Sequence, residues 1–271
     1  MANSLQKTKG KQPFSVAIQS DTYKNLINNT LGSKKGEKFV ADISSLVATN
    51  PQLKECDAGT ILAGGLLGAS LNLSASPTLG QYYLVPFNDT KNGRKTATFI
   101  LGWKGLYQLA VRSGYYKKIN VVAVKEGEFK SWDVYEENFE YEPITNPAER
   151  IKAKTVGYYA MFEYLSGFRK VMYWTKEEME SHALEYSKGY KAKKGYTFWE
   201  KDFDEMAKKT MLRQLISKYG MMSVEMEQAY TKDNAQINTD GSYNYVDNVD
   251  DEDIFDDDIE IVEAEKVDVL D

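Results

Sequence analysis

The hydrophobic period changes twice along the chain, and this change limits the folds that it can adopt. Apolar residues recur with a helical period in segments between residues 21 and 73, and with a period of two in segments between residues 82 and 174. The helical period then returns up to about residue 219. Helices followed by strands and then by helices are typical of an α+β fold. We therefore predict central antiparallel strands and hairpins that are packed by helices, with further helices at the N-terminus.

Turn and capping residues locate the boundaries of these elements. Asp57 is placed to cap a helix, and Gly114 to end one. An Asn-Gly pair joins two alternating segments as a hairpin, and capping boxes that start at Thr175 and Thr197 open two closing helices. The predicted helices cover residues 21–31, 36–49, 57–73, 103–112, 175–189 and 197–219, and the predicted strands cover residues 82–87, 97–101, 119–124, 129–135, 155–165 and 168–174.

The charge of the chain is divided between a basic body and an acidic tail. The whole chain has a net charge of −6. Residues 1–232 contain 33 Lys/Arg and 25 Asp/Glu, a net charge of +8, whereas residues 233–271 contain 15 Asp/Glu and one lysine, a net charge of −14. We predict a flexible arm over residues 1–20, one domain over residues 21–230 and a disordered acidic tail over residues 231–271.

The chain lacks the residues that most cofactor-dependent or covalent catalysis requires. The single Cys56 and the single His182 exclude a disulfide framework, a usual zinc site and a usual Ser–His–Asp triad. The Gly/Lys stretch of residues 32–38 does not match a phosphate-binding loop. Glu126 and Glu128 have no partner motif, so we interpret them as a solvated strand end and not as a metal pair. The sequence predicts no catalytic residue, no metal, no cofactor and no enzyme activity.

Neither a secretory leader nor a membrane span is predicted. Residues 1–13 are polar and contain no apolar core. The longest apolar run, residues 58–73, contains four glycines and is shorter than the roughly 20 residues that span a bilayer. We interpret its Gly64 and Gly68 as part of a tightly packed helix in a soluble protein. We expect a cytoplasmic protein with no membrane partner.

Basic residues at helical spacing are the main functional signal. Three clusters carry it: Lys104, Gln108 and Arg112 on one helix face, followed by Lys117 and Lys118; Lys208, Lys209 and Arg213 on the last long helix; and the lysines of the loop at residues 188–196. Lysine and arginine bind phosphates, and the release of counterions favours this binding. Bases stack on aromatic side chains, and each stacked base contributes about 1–3 kcal/mol to the free energy of binding. The residues themselves leave two interpretations open: a nucleic-acid-binding face, or solvated lysines around an aromatic core.

Four stretches of the chain resemble a known family in order and spacing. They are GQYYLVPF (residues 80–87), FILGWKGLYQLAVRSG (99–114), VVAVKEGEFKSW (121–132) and WEKDFDEMAKKTMLRQLISKY (199–219). The chain thereby resembles the RecT family of phage and prophage single-strand annealing proteins, over roughly residues 21–230. The resemblance implies binding of single-stranded DNA, annealing of complementary strands without ATP, and homo-oligomeric rings or helical filaments with DNA in a basic groove.

The resemblance also implies partners and site residues. A phage exonuclease and the host single-strand binding protein are the expected protein partners, and the annealed duplex is the expected product. The family's basic positions fall on Lys104, Arg112, Lys208, Lys209 and Arg213, and the family often has Tyr-Arg where this chain has Trp103-Lys104. The complete set of residues that we expect at DNA is Lys104, Arg112, Lys117, Lys118, Lys208, Lys209, Arg213, Lys91, Arg94, Lys95, Trp103 and Gln108.

Several alternatives stay open at this point. Trp103 and Tyr107 either stack on bases or brace their helix, and we favour bracing. The hairpin loop with Lys91, Arg94 and Lys95 reaches either DNA or a neighbouring subunit. The acidic tail either occupies the basic groove until DNA displaces it, or serves solubility and partner docking. The other function classes are a metal-dependent nuclease of the same pathway and a structural oligomer that does not bind DNA.

Overall fold

Helices and strands follow the predicted order in the computed structural model, which describes residues 12–89, 92–195 and 197–245. The helices are α1 (Phe14–Ala17), α2 (Asp21–Leu31), α3 (Ser33–Thr49), α4 (Pro51–Lys54), α5 (Ala58–Ser70), α6 (Trp103–Ser113), α7 (Pro147–Lys152), α8 (Lys176–Tyr186), α9 (Lys188–Lys191), α10 (Phe198–Lys201), α11 (Phe203–Tyr219) and α12 (Val224–Thr231). The strands are β1 (Tyr82–Asp89), β2 (Arg94–Leu101), β3 (Tyr116–Lys125), β4 (Phe129–Asp133), β5 (Asn138–Tyr141), β6 (Thr155–Tyr164), β7 (Arg169–Thr175), β8 (Ala235–Ile237) and β9 (Tyr243–Tyr245). The predicted α+β class is confirmed.

The strands form antiparallel sheets in three groups. One sheet has the order β1-β2-β8-β9, a second has the order β3-β6-β7, and β4 pairs with β5 alone. Helix α11 packs on the three-stranded sheet, where the hydroxyl of Tyr158 on β6 donates to Asp204 at 2.7 Å and the hydroxyl of Tyr164 donates to the Tyr219 carbonyl at 3.2 Å. Met211, Leu215 and their neighbours on this side of α11 are fully buried.

Helix α5 lies at the centre of the other half of the core. Nine of its residues, from Thr60 to Gly68, are buried, because it packs between the helices that precede it and strands β1 and β2. A Cβ atom on Gly68 would lie 2.3 Å from the Tyr82 ring, so this close approach requires glycine. The interpretation of the GxxxG segment as a tightly packed helix agrees with this position. Within the described ranges, no helix combines the length and apolar character that a bilayer span needs.

Both predicted ends of the domain are wrong by several residues. Phe14 and Ile18, assigned to a flexible arm, are 5% and 1% exposed and belong to the core. Strand β8, assigned to the acidic tail, pairs with β2 and has all three residues buried. The chain turns back after α12 and adds two strands to the first sheet, which a short polar sequence did not indicate. Residues 1–11 and 246–271, including the remainder of the predicted tail, lie outside the described residues.

The capping residues act as predicted, with one difference. Asp57 accepts backbone N–H groups of α5, and Thr175 and Thr197 both form complete capping boxes. The last long helix is broken, because Asp202 leaves the helical conformation and accepts the Glu205 N–H as the N-cap of α11. The helix that was predicted over residues 197–219 is therefore the pair α10 and α11.

Candidate nucleic-acid interface

Helix α6 presents the predicted basic stripe to the surface. Lys104, Gln108 and Arg112 are exposed, while Leu106, Leu109 and Ala110 are buried on the opposite side. At ~1.5 Å per residue, the stripe extends about 12 Å along the helix axis. The amphipathic period of the helix predicts which of its residues face outward, as the sequence indicated.

Two glycines set the position of α6 against the preceding loop. A Cβ atom on Gly102 would lie 2.1 Å from the Gly80 carbonyl oxygen, and one on Gly105 would lie 2.0 Å from the Gln81 carbonyl oxygen. Backbone therefore packs on backbone, which only glycine permits here. This packing brings Lys104 and the hydroxyl of Tyr83 beside Gly80.

The start of α6 meets α11 in a group of four side chains that we call the Trp103 cluster: Trp103, Lys104, Glu205 and Lys208. The ammonium groups of Lys104 and Lys208 lie 5.9 and 5.0 Å from the centre of the Trp103 ring. The indole N–H of Trp103 and the ammonium of Lys208 both donate to Glu205. The cluster places two cations at an aromatic face, the combination that binds the backbone and bases of a single strand.

Glu205 keeps its charge in this cluster. Burial favours its neutral form, but the hydrogen bonds from Lys208 and Trp103 outweigh burial and hold the pKa of Glu205 below its usual value. Burial, followed by the charges of Glu205 and Asp202, raises the pKa of the neighbouring Tyr83 above 10.0. Two lysines and one glutamate leave the cluster with a net charge of +1.

Arg112 combines surface exposure with a structural role. Its guanidinium donates to the Leu71 carbonyl at 2.8 Å and the Asn72 carbonyl at 3.4 Å, just beyond the end of α5. The ammonium of Lys35 donates to the Asn72 side chain at 3.2 Å, so a second cation lies at the same helix end. Cations are favourable beside the free carbonyls of a helix C-terminus. Lys35 is a basic neighbour of the stripe that spacing along one helix could not reveal.

Lys209 and Arg213 are turned away from the Trp103 cluster and toward a buried carboxylate. The side chain of Asp233 has no exposed area, and it pairs with Arg213 and, at 3.3 Å, with Lys209. The same carboxylate accepts the Leu101 N–H at 2.8 Å. The Arg213 guanidinium also lies 4.0 Å from the Tyr230 ring centre. Two side chains that the sequence assigned to phosphate thus contact an internal anion.

Four of the other expected DNA contacts have acidic neighbours of their own. Lys117 pairs with Glu163 at 2.6 Å, and the exposed Lys118 lies opposite Glu163 in the β3–β6 register. Arg94 lies 3.5 Å from Asp89, and Lys95 pairs with Glu55 at 2.7 Å. Lys91 lies outside the described residues. The four described residues meet acidic side chains other than Glu205 of the Trp103 cluster, and the contact of all five with DNA stays a prediction.

The bracing interpretation of the α6 aromatics agrees with their contacts. The Tyr107 hydroxyl donates to the Ile119 carbonyl at 3.3 Å, and the Tyr107 and Trp103 rings meet edge to face with centres 6.5 Å apart. Both side chains are half-buried. The sequence did not point to Tyr83, Glu205 or Asp233, because each meets at least one partner that is distant in sequence.

Comparison with known proteins gives one consistent result. A family model described as the RecT family matches residues 37–247. The uncharacterized protein YqaK of Bacillus subtilis (strain 168) is 35% identical over 236 residues, which cover 84% of this chain and 76% of the relative. Protein RecT of Escherichia coli (strain K12) is 28% identical over 240 residues, which cover 84% of this chain and 86% of that protein.

Proposed function

Since the chain belongs to the RecT family, whose members are annealing proteins of DNA recombination, we propose that it binds single-stranded DNA and anneals complementary strands without ATP. The observation that carries the proposal for this chain is the exposed stripe of α6 beside the Trp103 cluster. Together they offer cations for the backbone and an aromatic side chain at one surface.

In this proposal the DNA backbone follows the outer side of α6. Lys104 and Lys208 neutralise phosphates near Trp103, and Arg112 and Lys35 do so at the other end of the stripe. Lys209 and Arg213 act mainly through Asp233, as positioning residues that hold α11 against the end of β2. Trp103 orients the two lysines more than it stacks on a base.

Sequence specificity comes from base pairing and not from the protein. One strand is held by its backbone with its bases turned outward, and a second strand pairs with it when the register matches. A homo-oligomer extends the basic surface from subunit to subunit. A phage exonuclease that supplies the single strand, and the host single-strand binding protein that coats it, are the partners that this activity requires.

A strand-pairing assay tests the proposal. Two complementary oligonucleotides with a donor and an acceptor dye are mixed with the full chain and no nucleotide. We expect the rate of pairing to rise well above the spontaneous rate. Absence of DNA binding at moderate salt would contradict the proposal and favour a structural oligomer. Cleavage of a labelled strand in the presence of magnesium would favour a nuclease.

A further inference from the structure

An acidic hairpin contacts strands β6 and β7 of the three-stranded sheet. We call residues 126–142 the acidic hairpin; it contains β4, β5 and their flanking residues. It carries seven Asp/Glu and one lysine, a net charge of −6. The rest of residues 1–245 carries 32 Lys/Arg and 20 Asp/Glu, a net charge of +12. The hairpin is therefore strongly opposite in charge to the body that carries it.

Aromatic side chains attach the hairpin to the sheet in a small core of its own. Phe139 lies 4.9 Å from Tyr159 and 5.0 Å from Tyr173, and Phe129 stacks on Tyr173 at 5.1 Å, measured between ring centres. Trp132 lies 6.2 Å from Tyr173. This group lies outside the main core cluster.

Glu137 fixes the hairpin at its tip. Its carboxylate pairs with Lys170 on β7 and accepts the Val171 N–H at 3.4 Å. The hairpin is therefore held in one orientation before any partner arrives, which lowers the entropic cost of binding through it.

Apolar side chains remain uncovered on this fixed element. Val134, Tyr135 and Tyr141 are 62%, 92% and 63% exposed, and Phe129 is 38% exposed. Val134 and Tyr135 lie in the turn at the tip, and Phe129 and Tyr141 pair at the other end of the hairpin. Large apolar side chains exposed on a fixed, charged element are typical of a protein–protein contact. Exposed aromatics also suit unpaired bases. The hairpin keeps a net charge of −4 when the paired Arg150 and Lys170 are counted with it (−6 + 2), and this negative charge repels the phosphates that accompany the bases.

The charge also limits how a second copy can contact the hairpin. In a two-fold contact with the hairpin on the axis, the hairpin would face itself, and the like charges would oppose association. A two-fold contact therefore needs the hairpin of each copy to lie on the body of the other, which closes the assembly as a dimer. A contact between the hairpin of one copy and the basic body of the next joins two different surfaces. Such a heterologous contact closes into a ring or continues as a helical filament, and it leaves a free hairpin at one end of every open assembly.

We propose that the acidic hairpin of one subunit docks on a basic surface of a second copy of this chain, with Tyr135 and Val134 as its apolar contacts. The inference rests on the proposed function, because it specifies how the annealing oligomer is joined. Attraction between opposite charges guides the docking, and apolar contacts of the tip side chains stabilise the docked state. Because salt screens the charges, the contact weakens as the salt concentration rises.

Sedimentation of hairpin variants tests this inference. The double variant Val134→Ser/Tyr135→Ser and the single variant Glu136→Lys change only exposed tip residues. We expect either one to raise the dissociation constant of self-association by about tenfold or more. Leu165→Ser, at a 73% exposed position in the β6–β7 turn, and Glu180→Lys, exposed on α8, are matched controls that should assemble as the wild type does.

A mixing experiment tests the direction of the contact. A variant with a defective tip keeps its basic acceptor surface, so it should add to the free hairpin of a wild-type assembly and stop growth at that end. We expect a minor fraction of variant to shorten wild-type assemblies. Unchanged self-association of the variants, or a wild-type chain that stays monomeric, would overturn the inference.

The affinity of the monomeric variants for a short labelled oligonucleotide separates this inference from the proposed function. If affinity per subunit is retained while assembly is lost, the hairpin is a subunit contact. If the tip variants lose DNA affinity as monomers, the hairpin contacts DNA and the inference is wrong. Failure of the wild type to bind or anneal DNA would overturn the proposed function, while sedimentation would still decide the docking of the hairpin.

Discussion

Asp233 forms a buried ion pair with Arg213, across 20 residues of sequence that include the end of α11 and all of α12. Lys209 and the Leu101 N–H complete the environment of the carboxylate. One side chain thereby joins the last long helix to the end of β2, immediately before α6 begins. The position of the basic stripe depends on a residue that the charge pattern assigns to an acidic tail.

Removal of this carboxylate should destabilise the fold. Asp233→Ala leaves two cations facing each other in a mostly buried site, and loss of one partner of a buried pair costs about 3–5 kcal/mol. We expect the free energy of unfolding, measured by urea titration, to fall by about 3 kcal/mol. Asp240→Ala, in an exposed turn, should change it by less than about 1 kcal/mol. Similar values for the two variants would contradict the structural role of Asp233.

The salt dependence of DNA binding should separate phosphate contacts from internal cations. Lys104→Ala removes an exposed cation, so the slope of log affinity against log salt should become smaller by about one. Arg213→Ala removes a cation that is already paired with Asp233, so stability should fall while the slope changes little. Affinity at several salt concentrations and urea unfolding are measured for both variants. A flatter slope for Arg213→Ala in a normally folded protein would place Arg213 at DNA.

Acid should weaken the Trp103 cluster in a defined direction. The pKa of Glu205 is lower in the folded chain than its ordinary value of 4.5, so the unfolded chain binds its proton more readily. The stabilisation is complete above pH 4.5 and is lost as the pH falls through the lower, folded value. Glu205→Gln should therefore lose less stability than the wild type between about pH 6 and pH 3. Equal pH dependence in the two proteins, followed by thermal unfolding, would contradict this assignment.

The effect of C-terminal truncation on folding should depend sharply on where the chain is cut. Removal of residues 233–271 takes away Asp233 and strand β8, so we expect loss of the cooperative unfolding transition. Removal of residues 246–271 alone deletes 13 Asp/Glu and one lysine and should leave that transition in place. DNA affinity of this shorter deletion then decides the role of the tail. Tighter binding indicates that the tail competes for the basic surface, and unchanged affinity indicates a solubilising or partner-docking role.

The sequence by itself determined the features that depend on residues close to one another in the chain. The capping boxes at Thr175 and Thr197, the N-cap at Asp57 and the exposed stripe of α6 all follow from residues at most nine positions apart. Such contacts form whatever the rest of the chain does, so period and residue type are sufficient to predict them.

Only the tertiary structure decided which partner each cation meets. Lys208 and Lys209 are adjacent in sequence, yet one lies over Trp103 and the other contacts Asp233. Helical spacing places both near one side of α11, but their partners come from α6 and from the segment after α12. The burial of Asp233 depends on the pairing of β8 with β2, a contact between residues more than 130 positions apart that no local pattern records.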